Sequence, residues 1–286
     1  MTPGAASPGA VLITGASTGI GRACALHLDS LGWHVFAGVR KAVDAESLST
    51  EASPRLEPVT LDVTQPDSIS TALAQVGRAS PDGLRGLVNN AGTTVSGPLE
   101  FLPLDALREQ LEINAVAPVA VAQAALELLR LARGRVINMS SVGGRTALPF
   151  LGAYNASKFA LEAITDAMRR ELRPWGIEVV AIEPGSIATP IWTKGQAQYE
   201  DMQKRLPERF EELYGRRAAR MAALAQRTGE RGLPPEAVAR TVARALTARR
   251  PRSRYLVGRE ARVQVTAFRV LPDRVIDRLL DRFLAG

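Results

Sequence analysis

The stretch Val11-Leu12-Ile13-Thr14-Gly15-Ala16-Ser17-Thr18-Gly19-Ile20-Gly21 decides the fold. Its opening apolar run suits a strand buried on both faces, and residues 22–31 read as a helix directly after the glycines. In a strand, glycine turn and helix, the glycines let backbone approach a pyrophosphate while free N–H groups at the helix start meet its charge. Three residues separate the first two glycines, unlike the G-x-G-x-x-G spacing. No Lys-Ser/Thr pair follows to make a nucleoside-triphosphate loop. Taken alone, the motif also admits an ordinary glycine-rich turn.

Outward from that stretch the alternation continues. Strands are predicted at 33–39, 58–62, 84–89, 135–139 and 177–182, with helices at 66–76 and 153–173 and a long, partly interrupted helix at 104–132. Pro174 and Gly176 end the 153–173 helix. A charged helical insert, a helix at 235–248, a strand at 254–257 and a basic terminal helix over 263–284 complete the chain. Short apolar strands alternating with helices imply an α/β fold: a doubly wound, Rossmann-type parallel sheet in a single domain, with helices on both faces. The expected boundaries are a disordered lead at 1–9, the domain at 10–258 with its insert at about 191–231, and a basic C-terminal helical extension at 259–286.

At 286 residues, 46% hydrophobic and 23% charged, the chain has the material for a large core, which excludes a disordered or disulfide-stapled architecture. The longest apolar runs are broken by Gln, Glu, Pro or Gly, and no secretory leader is recognisable, so a cytoplasmic location without a membrane span is expected. Cys24 is a single cysteine and no Cys/His set has zinc spacing, so no metal is expected. His27 and His34, in the first helix and second strand, are poorly placed for a serine-hydrolase triad. Of the net charge of +7, the excess lies after residue 239, where twelve arginines face Glu260, Asp273, Asp277 and Asp281. That basic tail is a candidate for peripheral membrane contact. No nucleic-acid partner is expected, because neither a binding motif nor clustered aromatics accompany the charge.

Four further motifs fall at predicted carboxyl ends of strands or at the start of the following helix. These are Asn89-Asn90-Ala91-Gly92, Ser140-Ser141, Tyr154-Asn155-Ala156-Ser157-Lys158 and Pro184-Gly185. In an open parallel sheet this edge is the ligand crevice, so residues far apart in sequence converge there. Tyr154 and Lys158, four apart, share one helix face. A neighbouring ammonium favours the phenolate of a tyrosine, which suits Tyr154 to acid-base work.

With these motifs in order, the chain resembles the classical short-chain dehydrogenase/reductase family, and most closely its hydroxysteroid and retinol dehydrogenase-like branch. The resemblance spans about 10–258 and rests on T-G-x-x-x-G-I-G, N-N-A-G, Ser, Y-x-x-x-K and P-G-x-x-x-T-P. It implies a catalytic set of Asn114, Ser141, Tyr154 and Lys158. The thirteen-residue separation from Tyr154 selects Ser141 over Ser140, and Asn114 is expected to hold a water leading from Lys158 to solvent. For the cofactor it implies Gly15, Ser17, Thr18, Gly19, Ile20 and Gly21 around the pyrophosphate and ribose, and Asp62 and Val63 at adenine. Asn90, Ala91 and Gly92 form the floor, and Pro184, Gly185, Ile187 and Thr189 lie at the nicotinamide, with Tyr154 and Lys158 also touching the cofactor. At the end of the second strand Val39-Arg40 replaces the acid that would bond a ribose diol, which favours NADP(H), with NAD(H) the alternative.

Substrate contacts are expected from Ser141, Tyr154, Val142, Phe150 and Trp192. The apolar neighbours Leu148, Pro149 and Ile191 suggest a hydrophobic, lipid-like carbonyl or alcohol such as a steroid, retinoid or acyl ketone. The family resemblance implies a homodimer or homotetramer. Two readings stay open: an NADP(H)-dependent oxidoreductase, and a dinucleotide-binding regulatory or scaffold protein without useful turnover.

Overall fold

A computed structural model describes residues 8–193, 195, 199–200, 204 and 206–285. Residues 1–7 of the expected lead and parts of the 191–231 insert lie outside the described residues. Seven parallel strands form one sheet: β1 (Ala10–Ile13), β2 (His34–Val39), β3 (Leu56–Thr60), β4 (Leu84–Asn89), β5 (Arg135–Met139), β6 (Glu178–Pro184) and β7 (Arg254–Val257). The spatial order is β3-β2-β1-β4-β5-β6-β7, so the chain winds outward both ways from the β1/β4 junction. Pro58, which has no N–H to give a ladder, sits in the edge strand β3.

The helices are α1 (Gly19–Ser30), α2 (Ala42–Glu51), α3 (Pro66–Ala79), α4 (Leu104–Leu111), α5 (Ala117–Ala132), α6 (Gly152–Leu172), α7 (Glu208–Arg231), α8 (Pro235–Thr247), α9 (Arg259–Val270) and α10 (Asp273–Ala285). Alternate strand residues feed opposite layers, as the pleat requires. Val11 and Ile13 pack with Cys24 and Leu28 of α1 and Val238 and Val242 of α8. Leu12, on the other face, packs with Leu73 of α3 and Val121, Ala125 and Leu129 of α5. The continuous stretch Leu104–Ala132 is by length and composition sufficient to cross a membrane, yet its Val121, Ala125 and Leu129 are core residues of this fold.

The interruption expected within 104–132 is a single π turn, Glu112–Val116, closed by Ala117 N–H to the Glu112 carbonyl. The helix expected over 263–284 is corrected to two. Leu271 leaves the helical region and Pro272 cannot continue the ladder, so the chain restarts as α10. Helix α2 was not foreseen, because its Ser- and Thr-containing sequence buries only Leu48. Strand register sets the site: Ile13, Val88, Ile137 and Val180 lie level across four strands, so the motifs after them emerge along one edge.

Candidate active site

The glycine turn is locked to the Asn89-to-Gly92 segment. Thr14 Oγ1 accepts from the N–H groups of Asn90 (3.0 Å) and Ala91 (2.9 Å), and Asn90 Nδ2 donates to the carbonyls of Thr14 and Gly15, both at 3.0 Å. Gly15 and Gly19 have φ of +64° and +57°, left-handed values that other residues adopt at a cost. A Cβ on Gly21 would land on the Gly15 carbonyl and the Asn90 amide. Thr18 begins α1 without a side-chain cap, and no acid lies in the first turn, so the N–H groups there remain available to an anion. This cradle fits a dinucleotide pyrophosphate.

Arg40 and Lys41, exposed after β2, and Asp62 and Val63, after β3, line one end of the cleft above the turn. Asp62 Oδ1 accepts from Thr64 N–H (3.0 Å) and Oγ1 (2.7 Å). The Thr64 backbone bond holds the Asp62 carboxyl below its ordinary range. Burial opposes this, while the Thr64 hydroxyl and the Arg40 charge add to it.

At the opposite wall, Ser141 Oγ accepts from Gly143 N–H at 3.0 Å and lies 3.5 Å from the Pro184 carbonyl. Lys158 Nζ donates to the Met139 carbonyl at 2.8 Å and stands 5.9 Å from the centre of the Tyr154 ring. Burial raises the Tyr154 phenol above its ordinary value, with the Ser141 hydroxyl working against it. The phenol is therefore kept protonated in the protein alone and stands as a proton donor. Burial pushes Lys158 down to about 8, opposed by the charge of Glu162.

The cleft has a volume of about 940 Å³. Every site residue named from the sequence lines it except Gly21 and Asn114. Gly21 lies beneath the turn. Asn114, in the π turn, bonds Thr93 through its N–H (2.9 Å) and carbonyl (3.0 Å), and Ser157 Oγ (3.0 Å). Val142, Phe150 and Trp192 all face the cleft, Trp192 fixed by its Nε1 donating to the Ile187 carbonyl at 2.7 Å. Sequence reasoning missed Met221, Leu224 and Ala225 of α7, and Gln264 of α9. The apolar run Met221-Ala222-Ala223-Leu224-Ala225 inside a charged helix was the available signal.

Comparison with known proteins gives the family. Residues 9–200 match the family described as short chain dehydrogenase. The NADPH-dependent 3-dehydrocapnine reductase of Ornithobacterium rhinotracheale is 35% identical over 277 residues, 94% of each chain. Retinol dehydrogenase 5 of Mus musculus is 38% identical over 282 residues, 96% of this chain and 88% of that protein. A short chain dehydrogenase from Burkholderia cenocepacia, solved in complex with NADP, superposes with a TM-score of 0.72 at 25% identity, covering 95% of this chain and 97% of that one. By motif, architecture and similarity, the chain belongs to the short-chain dehydrogenase family of oxidoreductases acting on alcohol and carbonyl groups.

Proposed function

We propose that the protein is an NADP(H)-dependent oxidoreductase that interconverts a carbonyl and an alcohol on a hydrophobic, lipid-like substrate. The observation that carries this reading is the meeting of Ser141, Tyr154 and Lys158 in one cleft whose lining also includes Trp192, Met221 and Leu224. When bound, the dinucleotide supplies or takes hydride at nicotinamide C4. Ser141 and Tyr154 donate hydrogen bonds to the substrate oxygen and polarise it, and Tyr154 passes its proton to that oxygen in the reductive direction. Lys158 orients the nicotinamide ribose and stabilises the phenolate left behind. Arg40, exposed and clear of a carboxylate partner at hydrogen-bond distance among the described residues, is suited to a ribose phosphate. The names of the relatives, an NADPH-dependent reductase and a retinol dehydrogenase, support both the cofactor and the apolar substrate.

Assembly and placement belong to the same proposal. Val116 and Phe159 are exposed on the helices after β4 and β5, which supports a homodimer or homotetramer built on those faces. Leu279 and Phe283 of α10 are exposed beside Arg278 and Arg282, which supports contact of a cytoplasmic protein with an anionic membrane surface. Following NADPH, and separately NADH, by absorbance with steroid, retinoid, fatty-acyl and small carbonyls tests the reading. Turnover with apolar carbonyls and a preference for NADPH are expected. NADPH binding with no carbonyl reduced would favour a regulatory, non-catalytic protein.

A further inference from the structure

Behind the catalytic wall, and outside the cleft lining, an ionic cluster is built on the buried carboxylates Glu162 and Glu183. Glu162 follows Lys158 by four residues on α6, one turn along the same face, and both are buried. Arg254 of β7 reaches over this turn. Its Nε is 2.9 Å from Glu162 Oε2 and 3.3 Å from Glu183 Oε1, and its Nη2 is 3.0 Å from Asp166 Oδ1. Arg145, just after the Ser141 turn, pairs with Glu183 Oε1 at 3.1 Å. The packing is close: a Cβ on Gly144 would come within 2.9 Å of the Lys158 carbonyl and 3.0 Å of Glu162 Cγ and Ser140 Oγ.

Stability alone is a poor explanation for these charges. Replacing a buried ion pair with apolar residues of similar volume is commonly neutral or stabilising. Glu162 is also incompletely satisfied, since its buried Oε1 takes no hydrogen bond and Arg254 is its one hydrogen-bond donor among the described residues. A carboxylate kept in such a place, one turn from a buried ammonium, has an electrostatic use.

We propose that Glu162, hydrogen-bonded by Arg254, is a positioning residue that serves as counter-charge to Lys158 and keeps its ammonium on the Met139 carbonyl. Lys158 in turn orients the cofactor ribose, so the catalytic consequence rests on the oxidoreductase reading above. The charged and titratable groups facing the pair are Tyr154 and Asp166 on α6, Glu183 on β6, Arg145 after β5 and Arg254 on β7. Arg169 and Arg170 hold Asp166 at the outer rim, at 3.2 and 3.7 Å. The Glu162 charge raises Lys158 against the lowering by burial, while burial and the neighbouring Glu162 push Glu183 up to about 7.

The test is a titration of the Lys158 amine itself, by NMR of protein labelled at lysine Cε. The chain has only four lysines, Lys41, Lys158, Lys194 and Lys204, so the signal is assignable by its loss in Lys158→Arg. Glu162→Gln keeps the shape and removes the charge, and the Lys158 midpoint is expected to fall by about one pH unit. Asp166→Asn, on the outer side of Arg254, is expected to leave the midpoint in place. An unmoved midpoint in Glu162→Gln, or an equal fall in Asp166→Asn, overturns the proposal. Should Glu162→Gln fail to fold, Glu162→Met, apolar and of similar volume, decides by the same criterion. This readout needs no substrate, so an unmoved midpoint leaves the oxidoreductase reading standing, whereas failure to reduce any carbonyl leaves the titration unaffected.

Discussion

Asn114 Nδ2 donates to the Ser157 hydroxyl across 3.0 Å, and that hydroxyl donates to the Tyr154 carbonyl at 2.7 Å. The π turn thereby braces the first turns of the helix that carries Tyr154 and Lys158. The same Asn114 amide holds the Thr93 backbone through both its N–H and its carbonyl. One side chain thus sets the spacing between the floor of the cleft and its catalytic wall. A π turn inside an α-helix is rare, and such turns collect at functional sites.

Asn114→Ala should therefore cost more than a surface change. It strands the Thr93 backbone groups in a partly buried position, and a loss of about 2–3 kcal/mol is expected from the unmade bonds. Ser157→Ala removes one link and should cost about 1 kcal/mol. Urea unfolding of the two variants checks the order.

Activity should depend on the Lys158 charge. With its amine pushed down to about 8, the ammonium is lost as pH rises through that value, and kcat/KM for carbonyl reduction should decline above about pH 8. The stability consequence has the opposite sense. Between about 8 and the unfolded value of 10.5 the unfolded chain binds the extra proton, so this group makes stability rise with pH across that window. A pH-rate profile and a matching set of unfolding curves separate the two effects.

Arg40→Asp should reverse the cofactor preference. Removing the guanidinium forfeits a charge-assisted phosphate contact, and placing a carboxylate there opposes that phosphate and suits a ribose diol. At about 1.5–3 kcal/mol for such a bond, NADPH affinity should fall by roughly 10- to 100-fold while NADH affinity rises. Fluorescence titration with each cofactor measures the ratio.

Gly21→Ala tests the cradle. The added methyl meets the Gly15 carbonyl and the Asn90 amide, both backbone-tied, so the turn must open. Loss of NADPH binding is expected together with a lower Tm. An alanine variant that binds normally would show that the turn has room the packing denies.

Much of this arrangement is legible in the sequence. The doubly buried run at Val11 to Ile13 and the motifs after β1, β4, β5 and β6 carry local signals, and strand register then brings them together. Other parts depend on contacts distant in sequence. Arg254 meets Glu162 and Glu183 only because β7 lies beside β6. Met221 and Leu224 reach the cleft only because α7 folds back over it, and their helix reads as charged. The break at Pro272 was readable from proline chemistry, but the amphipathic pattern on both sides suggested one helix.

The most direct test of the account is Tyr154→Phe, which removes one oxygen and leaves the ring. With a carbonyl that the parent protein reduces, turnover should fall by about 10²- to 10⁴-fold, the range of a lost general acid, while NADPH binding persists. Turnover equal to the parent would contradict the assignment of Tyr154 as the proton donor and with it the mechanism.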